Sequence, residues 1–286
     1  MFDAFAQIGR EAGFRMNDLS LRLTALRKEH KLTKKAMAEA LGLSRQTVSN
    51  WEKGDIEPNI GVLAKIASYF GVSTDYLLGH ETYTTHYEEK YRQEDFYWGK
   101  KINTLAYEML KLMPPTRPLR LLDVGCGEGQ AAVFFARNGY HVTAFDIAVS
   151  GLEKGRRLAQ AAGVHINFYQ ADLLRHEPEG MFDVIYSTDV LEYVPAEHRR
   201  NVLCQWQEHT SVGGLNVLDV FVEKSFIATA PDWEHGKEFF WNTGELFSYY
   251  ANNWQIELIR EPIFDCDSAG IPHKHCMDMM IARRMA

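Results

Sequence analysis

From Arg120 onwards, short apolar runs alternate with amphipathic stretches, and this alternation constrains the fold more than any other feature. The amphipathic stretches have the length and periodicity of helices. Strands that alternate with helices favour a parallel sheet covered on both faces, so the sequence predicts an α/β domain. Ligands of such sheets bind beyond the carboxyl ends of the strands. The predicted strands are RLLDVG from 120, HVTAFD from 141, INFYQAD from 166, FDVIYSTD from 182 and GLNVLDVF from 214.

A glycine-rich loop follows the first predicted strand. Gly125, Gly127 and Gly129 alternate with other residues, and Asp123 precedes them by two positions. Glycine lets the backbone approach a ligand closely because no side chain intervenes. The dinucleotide fingerprint has its third glycine one residue later. The D-x-G-x-G-x-G spacing is instead typical of proteins that bind S-adenosylmethionine (SAM).

Two further acidic residues close the next two predicted strands. Asp146 lies 21 residues after Gly125, where a carboxylate can accept hydrogen bonds from ribose hydroxyls. Asp172 ends the third strand, where a carboxylate can accept a hydrogen bond from the amino group of adenine. Either residue alone is more typical of a solvated strand end. Their order at successive strand ends, together with Asp123, indicates a binding site.

The region from about residue 97 to residue 284 resembles the class I SAM-dependent methyltransferases in LLDVGCGEGQ, HVTAFDIA, FYQADL, FDVIYSTDVLEYV and SVGGLNVLDV. The resemblance implies a Rossmann-like, seven-stranded, mostly parallel sheet with a C-terminal antiparallel hairpin. It implies SAM as the cofactor. The residues expected to hold SAM are Asp123, Gly125, Cys126, Gly127, Gly129, Asp146, Ile147, Asp172, Leu173, Ser187, Thr188, Val190 and Trp98.

The methyl acceptor is expected to be a small molecule. Base-methylating DNA enzymes carry an Asn/Asp/Ser-Pro-Pro-aromatic element after the fourth strand, or a Pro-Cys nucleophile. Here that element is replaced by Ser-Thr-Asp-Val at 187–190, and the chain has no Pro-Cys pair. Many members of the family have histidine where this chain has Tyr193, which excludes a histidine base there. We assign no catalytic residue from sequence.

The C-terminal part, from Glu238 onwards, resembles the tellurite-resistance branch of these methyltransferases. That branch uses a His-Arg pair where this chain has Phe264-Asp265, so its substrate does not transfer. Phe239, Phe240 and Trp241 form either a lid over the acceptor or a packing cluster. The residues expected to contact the acceptor are Tyr193, Trp241, His273, His275 and Cys276.

Cysteines and histidines near the predicted final hairpin leave two interpretations open. The segments Asp265-Cys266-Asp267 and His273-Lys274-His275-Cys276 bring thiol and imidazole groups to one turn. Such groups favour soft metals or metalloids. A polar hairpin loop with unrelated cysteines explains the same residues, because loop spacing alone is weak support for a site. We therefore predict no metal.

The first eighty residues predict a small helical domain. Thr33 caps a short helix that ends at Gly42, and Ser44 caps the next, so about three residues join the two helices as in a helix-turn-helix. In the second of these helices Val48 and Trp51 face the core. The outward side chains are of types that reach phosphates and base edges, and the predicted DNA contacts are Lys34, Arg45, Gln46, Thr47 and Asn50.

Residues 32–79 resemble the Cro/phage-repressor-like (XRE-type) helix-turn-helix family over about 50 positions, LTKKAMAEALGLSRQTVSNWEKGDIEPNIGVLAKIASYFGVSTDYLLG. The resemblance implies a small all-α five-helix domain that binds double-stranded operator DNA as a homodimer. The family commonly has glutamine at the position of Lys34. Lysine holds a phosphate as a point charge but cannot orient Gln46 in the same way.

Charge separates the two parts of the chain. Residues 1–79 hold eleven Lys/Arg against nine Asp/Glu, whereas residues 80–286 hold 20 against 29. Phosphate contacts need clustered cations, so any DNA affinity is expected in the first part. The expected domains are a DNA-binding domain at 1–79, a helical connector and cap at 80–118, and the methyltransferase at 119–286.

Cysteine usage and hydropathy predict a cytoplasmic protein. The four cysteines lack CxxC spacing, which favours reduced thiols. No apolar run reaches the length of a membrane span, and no secretory signal is predicted.

Three interpretations of the fusion remain at this point. The first is a methyltransferase for a small acceptor with a DNA-binding head that regulates transcription. The second is a non-catalytic regulator whose larger domain senses SAM or another ligand. The third is an enzyme whose head only promotes dimerisation.

Overall fold

A computed structural model describes residues 17–70, 72, 74–78, 83–228, 240–266 and 272–286. Phe239 and Asp267, both named above, lie outside these residues. The chain divides into two compact units, Met1–Tyr87 and Glu88–Ala286. Among the described residues, no helix combines the length and the apolar character needed to cross a bilayer.

The described part of the N-terminal unit is helical. Its core is formed by side chains with no exposure, including Leu23, Met37, Val48 and Ile66, which come from four different helices. Five helices therefore surround one apolar core, as expected for this domain. They are α1 (Asn17–Glu29), α2 (Lys34–Leu41), α3 (Arg45–Lys53), α4 (Ile60–Phe70) and α5 (Thr74–Leu78).

Capping residues define the turn between α2 and α3. The Thr33 hydroxyl accepts a hydrogen bond from the N–H of Ala36 at 3.1 Å, and α2 ends at Gly42, whose φ is +70°. The Ser44 hydroxyl accepts from the N–H of Thr47 at 3.1 Å and begins α3. A left-handed glycine followed within two residues by a serine cap turns the chain sharply. The helix-turn-helix geometry predicted from sequence is confirmed.

The second unit contains a sheet of eight strands. Neighbouring strands follow the order β3-β2-β1-β4-β5-β8-β6, and β7 pairs with β8 outside this path. The first five strands are parallel, and β8 is antiparallel to both β5 and β6. The strands are β1 (Arg120–Val124), β2 (His141–Asp146), β3 (Asn167–Gln170), β4 (Phe182–Ser187), β5 (Thr210–Phe221), β6 (Trp254–Arg260), β7 (Ile263–Cys266) and β8 (His273–Arg284).

The predicted Rossmann-like sheet with a C-terminal antiparallel hairpin is confirmed, with one strand more than expected. β6 pairs with the second half of β8, from Met279 to Arg284, and β7 pairs with the first half, from His273 to Cys276. Glu261 and Pro262 separate β6 from β7. Because proline cannot donate a ladder hydrogen bond, it interrupts what would otherwise be one long strand.

Helices connect and cover the strands. Within the predicted connector and cap at 80–118, the described residues form two helices, at Tyr83–Tyr91 and Thr104–Leu112, and residues 92–103 between them are not helical. A 3-10 turn at Leu191–Tyr193 follows β4. The helices are α6 (Tyr83–Tyr91), α7 (Thr104–Leu112), α8 (Gln130–Arg137), α9 (Val149–Ala162), α10 (Ala196–Glu208) and α11 (Glu245–Ser248).

Both faces of the sheet are buried. Along β1, Leu121 belongs to one apolar cluster and Leu122 to the other, and Val217 and Leu218 alternate in the same way on β5. Successive side chains on a strand point to opposite faces. This double burial explains why the strands were recognisable as nearly continuous apolar runs.

Candidate functional site

The glycine loop connects the carboxyl end of β1 to α8. Gly125, Gly127 and Gly129 have φ values of +66°, +52° and +82°. Residues other than glycine rarely adopt this left-handed backbone conformation, so the three glycines allow the loop to curl. The loop lies beside the end of β2, because the N–H of Cys126 donates to the carbonyl of Phe145 at 2.9 Å.

The loop packs main chain against main chain on α9. A Cβ at Gly129 would stand 2.8 Å from the Cα of Gly155, and a Cβ at Gly151 would stand 2.6 Å from the carbonyl oxygen of Gly127. Only glycine permits such an approach on both sides. The contact sets the loop directly beside the N-terminal half of α9.

A buried ion pair joins the same two elements. Lys154 of α9 lies 2.7 Å from a carboxylate oxygen of Glu128, and the two side chains are 7% and 0% exposed. Lys154 also donates to the carbonyl of Asp95 at 2.6 Å. Charges removed from water need partners, and here each side chain finds one. This pair was not predicted from sequence, although a charged residue inside a glycine loop was the available signal.

Asp146 holds the loop from the end of β2. One of its carboxylate oxygens accepts from the N–H of Gly127 at 2.8 Å, and the other accepts from the N–H of Ala148 at 2.9 Å. Burial raises the pKa of the Asp146 carboxyl, and these backbone hydrogen bonds offset the rise only in part. The adjacent Ile147 is half-buried, and its carbonyl accepts from Gln170 at 2.9 Å.

Asp123 is the most unusual carboxyl in the loop region. It is 2% exposed, and its Oδ2 atom has no hydrogen-bond partner within the described residues. Burial, followed by the nearby charge of Asp146, raises the pKa of Asp123 to about 8. A cationic group placed near Oδ2 would favour the ionised form. The hydroxyl of Ser187, at the end of β4, is also buried and without a partner in the described part of the chain.

Residues that precede β1 lie over the glycine loop. The Tyr91 hydroxyl would be 3.1 Å from a Cβ at Gly127, and the indole N–H of Trp98 donates to that hydroxyl at 3.1 Å. Glu88 accepts from the N–H groups of Val149 and Ser150, at the start of α9. Trp98 was expected at the cofactor site, whereas Glu88 and Tyr91 were not. Their sequence spacing carries no signal, because they reach the loop from about 35 residues away.

Two acidic residues meet near the carboxyl ends of β4 and β5, Asp189 after β4 and Asp219 within β5. Asp189 has a φ of +58°, and its N–H donates to Asp219 at 2.8 Å. Asn103 donates to the other oxygen of Asp219 at 3.1 Å. Burial, then the charge of Asp189, raises the pKa of Asp219 well above its ordinary value. Asp219 was not predicted from sequence, although an acid within an otherwise apolar strand was a usable signal.

The remaining predicted cofactor residues line the ends of β3 and β4. Asp172 follows β3 and accepts from the N–H of Leu174 at 2.9 Å, and Leu173 is half-buried. Thr188 donates to the hydroxyl of Tyr186 at 3.3 Å. Val190 lies against the loop, where its methyl groups would overlap any Cβ at Gly125. All of these residues belong to one unit and lie at or near the carboxyl edge of its sheet.

Two of the predicted acceptor contacts are corrected by burial. Trp241 is 1% exposed, its N–H donates to the carbonyl of Leu191 at 3.1 Å, and the Arg199 guanidinium lies 4.2 Å from the ring centroid. The packing interpretation therefore holds for this ring, not the lid. Cys276 is 2% exposed and belongs to the apolar core. Tyr193 is half-buried.

Three side chains on the final hairpin offer metal-ligand atoms. Those of Cys266, His273 and His275 all lie within 4.8 Å of one another. These three residues were predicted from sequence as one thiol and imidazole cluster together with Cys276, which the structure places in the apolar core instead. Strand geometry explains the difference, because residues 275 and 276 of β8 point to opposite faces of the sheet.

In the N-terminal unit, the predicted DNA contacts cluster at the start of α3. Arg45 and Gln46 are exposed, and Thr47 and Asn50 are half-buried. The Gln46 amide donates to the Asn50 side chain at 2.8 Å. Both amides therefore lie on the same outer face of the helix, one turn apart.

Lys34 is engaged within the unit. Its Nζ lies 3.0 Å from Glu52, whose carboxylate also accepts from Arg27. Burial opposes ionisation of Glu52, but the hydrogen bonds and charges of Arg27 and Lys34 outweigh it and lower the pKa of Glu52. Lysine at this position therefore has a structural partner on α3, besides any phosphate it contacts.

Models of known protein families match residues in each of the two units. Residues 23–77 match the family model described as helix-turn-helix, and residues 121–214 match the model described as methyltransferase domain. The chain therefore carries a helix-turn-helix domain followed by a methyltransferase domain.

Curated relatives match the methyltransferase region. The probable SAM-dependent methyltransferase TehB of Haemophilus influenzae is 26% identical over 186 residues, which cover 59% of this chain and 65% of the relative. The ubiquinone biosynthesis O-methyltransferase of Rickettsia prowazekii is 40% identical over 160 residues, which cover 51% of this chain and 63% of the relative. The chain thus spans slightly less than two thirds of the length of these relatives.

Solved structures share the fold. The crystal structure of TehB from Haemophilus influenzae has a TM-score of 0.57 at 22% identity, covering 70% of this chain and 66% of that chain. The N-methyltransferase NodS from Bradyrhizobium japonicum, in complex with S-adenosyl-L-homocysteine, has a TM-score of 0.53 at 15% identity and covers 70% and 97%. At these identities the likeness establishes the fold alone.

We expect Gly125→Ala to destabilise the protein far more than Gly163→Ala. Both glycines have nearly the same φ, +66° and +67°, but a Cβ at Gly125 would lie 2.4 Å from Val190, whereas nothing lies within 4 Å of one at Gly163. The control should cost about 1–2 kcal/mol for the left-handed backbone. The loop variant should cost about 1–3 kcal/mol more for overpacking against a stiff valine.

Urea unfolding of the two variants measures both costs. The double variant Gly125→Ala/Val190→Ala should recover part of the extra cost, because it removes the overlapping methyl groups. Equal destabilisation by the two glycine substitutions would show that the loop does not pack as described.

Proposed function

We propose that the larger unit is a SAM-dependent methyltransferase that acts on a small molecule, and that the helix-turn-helix domain directs it to operator DNA. The observation that carries the enzymatic proposal is the glycine loop with its two buried carboxyls. Asp146 closes the loop from one side, and Asp123 offers an unpartnered oxygen from the other. A loop of main-chain N–H groups beside ionisable carboxyls suits a ligand that carries both a carboxylate and cationic groups.

The same arrangement suggests where the parts of SAM bind. The methionine moiety would lie on Gly125, Cys126, Gly127 and Gly129, with Asp123 beside its cationic end. The ribose hydroxyls would donate hydrogen bonds to Asp146 in place of the Gly127 N–H. Asp172 and Leu173 would flank the adenine. Residues 187–190, at the end of β4 and just after it, would line the methyl donor on the side that faces the acceptor. When bound, SAM supplies a methyl group on a sulfonium that is already activated for displacement.

The acceptor is proposed to be a small molecule of the thiol or metalloid class. The unit that holds the site is acidic, which disfavours nucleic acid as its substrate. Methyl transfer to a thiol or a metalloid oxyanion requires mainly an in-line approach. Asp189 is exposed beside the proposed donor site, and its carboxylate could accept a proton from an acceptor.

We expect SAM to bind more tightly as the pH rises. Asp123 is protonated in the free protein up to its pKa of about 8 and would ionise beside a cationic ligand. Binding near neutral pH should therefore release a proton. Affinity should rise about tenfold per pH unit between about pH 6 and about pH 8, then level off.

Isothermal titration calorimetry in buffers of different ionisation enthalpy measures both quantities. Asp123→Asn serves as the matched control, since it removes the titrating group and leaves the ligand's own titration. The variant should bind more weakly at high pH and lose most of the pH dependence. An identical pH profile in wild type and variant would contradict the role of Asp123.

A transfer assay tests the activity itself. Purified protein, methyl-labelled SAM and candidate acceptors such as small thiols, tellurite and arsenite should give a labelled product. Asp146→Ala should abolish SAM binding and transfer together, whereas Glu197→Ala, an exposed acid on α10, should change neither. No SAM binding by the wild type would refute the proposal. Binding without transfer to any acceptor, together with SAM-dependent operator binding, would instead favour the non-catalytic sensor.

We propose that the N-terminal unit regulates transcription by binding operator DNA as a homodimer. The exposed side chains at the start of α3 support this, because a recognition helix reads base edges with its N-terminal residues. The Gln46–Asn50 hydrogen bond holds two amides on one face, and each amide can pair with adenine.

Replacement of Gln46 should weaken operator binding selectively. Gln46→Ala should cost about 1–3 kcal/mol on an operator selected from a random duplex library, with little change on unrelated DNA. Lys65→Ala, on the exposed face of α4, is the control and should leave the preference intact. Fluorescence anisotropy at fixed salt measures both. Failure to enrich any sequence, or unchanged specificity in Gln46→Ala, would contradict this role of α3.

A further inference from the structure

The β7–β8 hairpin places a thiol and two imidazoles on one face. In the antiparallel register Cys266 lies opposite His273, and Phe264 lies opposite His275. Opposed residues share a face, and so do residues two apart on one strand. The side chains of these four residues therefore project together, while Lys274, ion-paired at 2.6 Å with Asp265, projects from the other face.

The two imidazoles already face each other through the same ring atom. The Nε2 atoms of His273 and His275 are 2.8 Å apart, and the ring planes are nearly perpendicular. Tetrahedral Zn²⁺ bound at about 2.0–2.1 Å by each nitrogen needs a separation of roughly 3.3 Å. A small rotation of the half-buried His273 ring provides this, and the Cys266 Sγ lies within 4.8 Å of a ring nitrogen of each histidine.

Aromatic rings fix the orientation of the buried imidazole. His275 is 6% exposed, and its ring packs against Phe221 and Phe264 at centroid distances of 5.0 and 5.7 Å. The same ring lines a small cleft together with Lys224, Phe240 and Lys274. A rigid ligand in an apolar surrounding is typical of a metal site.

We propose that Cys266, His273 and His275 bind a divalent transition metal of the zinc class. One thiolate and two imidazoles suit borderline ions such as Zn²⁺ and Co²⁺, and exclude Mg²⁺ and Ca²⁺, which prefer oxygen ligands. Three protein ligands leave one position of a tetrahedral ion for water or a small-molecule ligand. This site is distinct from the proposed SAM site and does not depend on it.

Metal titration of the full-length chain tests the proposal. After removal of bound metal with a chelator, the wild type should take up about one Zn²⁺ or Co²⁺ per chain. The Co²⁺ form should show a thiolate-to-cobalt charge-transfer band, which Cys266→Ser should remove. His273→Asn should weaken binding at least about a hundredfold, since even an outer-shell partner is typically worth about 10- to 100-fold.

Two controls separate a lost ligand from a damaged fold. Cys204→Ser changes a thiol on α10 with the same intermediate exposure as Cys266, and it should leave uptake and the charge-transfer band unchanged. In the wild type, Zn²⁺ should protect Cys266 from alkylation but not Cys204, which requires no variant to fold.

The overturning results are equally direct. Wild-type protein that takes up no stoichiometric metal, a charge-transfer band that persists in Cys266→Ser, or unprotected Cys266 in the presence of Zn²⁺ would each refute the site. SAM binding measured on the same samples would be unaffected by any of these outcomes, so the two proposals fail independently.

Discussion

The buried ion pair between Lys154 and Glu128 is the interaction on which the rest of the glycine-loop site depends. Separating two buried charges would leave each without compensation, at a cost of several kcal/mol. The loop therefore cannot lift from α9 while the pair is intact. The hydrogen bond from Lys154 to the carbonyl of Asp95 extends the same constraint to the segment that covers the loop. Close packing of glycine on glycine is possible beneath this pair because nothing else separates the two backbones.

Much of the fold and part of the site followed from local sequence. Strand ends were marked by Asp123 and Asp146, because the carboxyl ends of parallel strands gather on one edge and an acid there interrupts an apolar run. The helix-turn-helix was equally visible, since Gly42 and Ser44 carry out local conformational tasks that few residue types perform. In each case the property that mattered belonged to a residue and its immediate neighbours in the chain.

What sequence could not supply was pairing across the chain. Tyr91 contacts the glycine loop from about 35 residues earlier in the chain, and no spacing encodes that contact. Sequence placed both Cys266 and Cys276 in the hairpin cluster, and only the register of β7 and β8 separates them, since a shift of one residue exchanges the faces. Trp241 was ambiguous for a related reason. An aromatic run has the same composition whether it is buried beside Arg199 or exposed over a ligand.

The position of β8 has a consequence for how the chain is made. β8 lies between β5 and β6, although it is the last of the eight strands in the sequence. During synthesis the helix-turn-helix unit can close its core within the first 87 residues. In contrast, β5 and β6 each keep an unpaired edge until β8 has been made. The nascent protein therefore passes through a stage in which one unit is folded and the other is an incomplete sheet. That interval, rather than the finished molecule, is when unpaired strand edges are most exposed to aggregation.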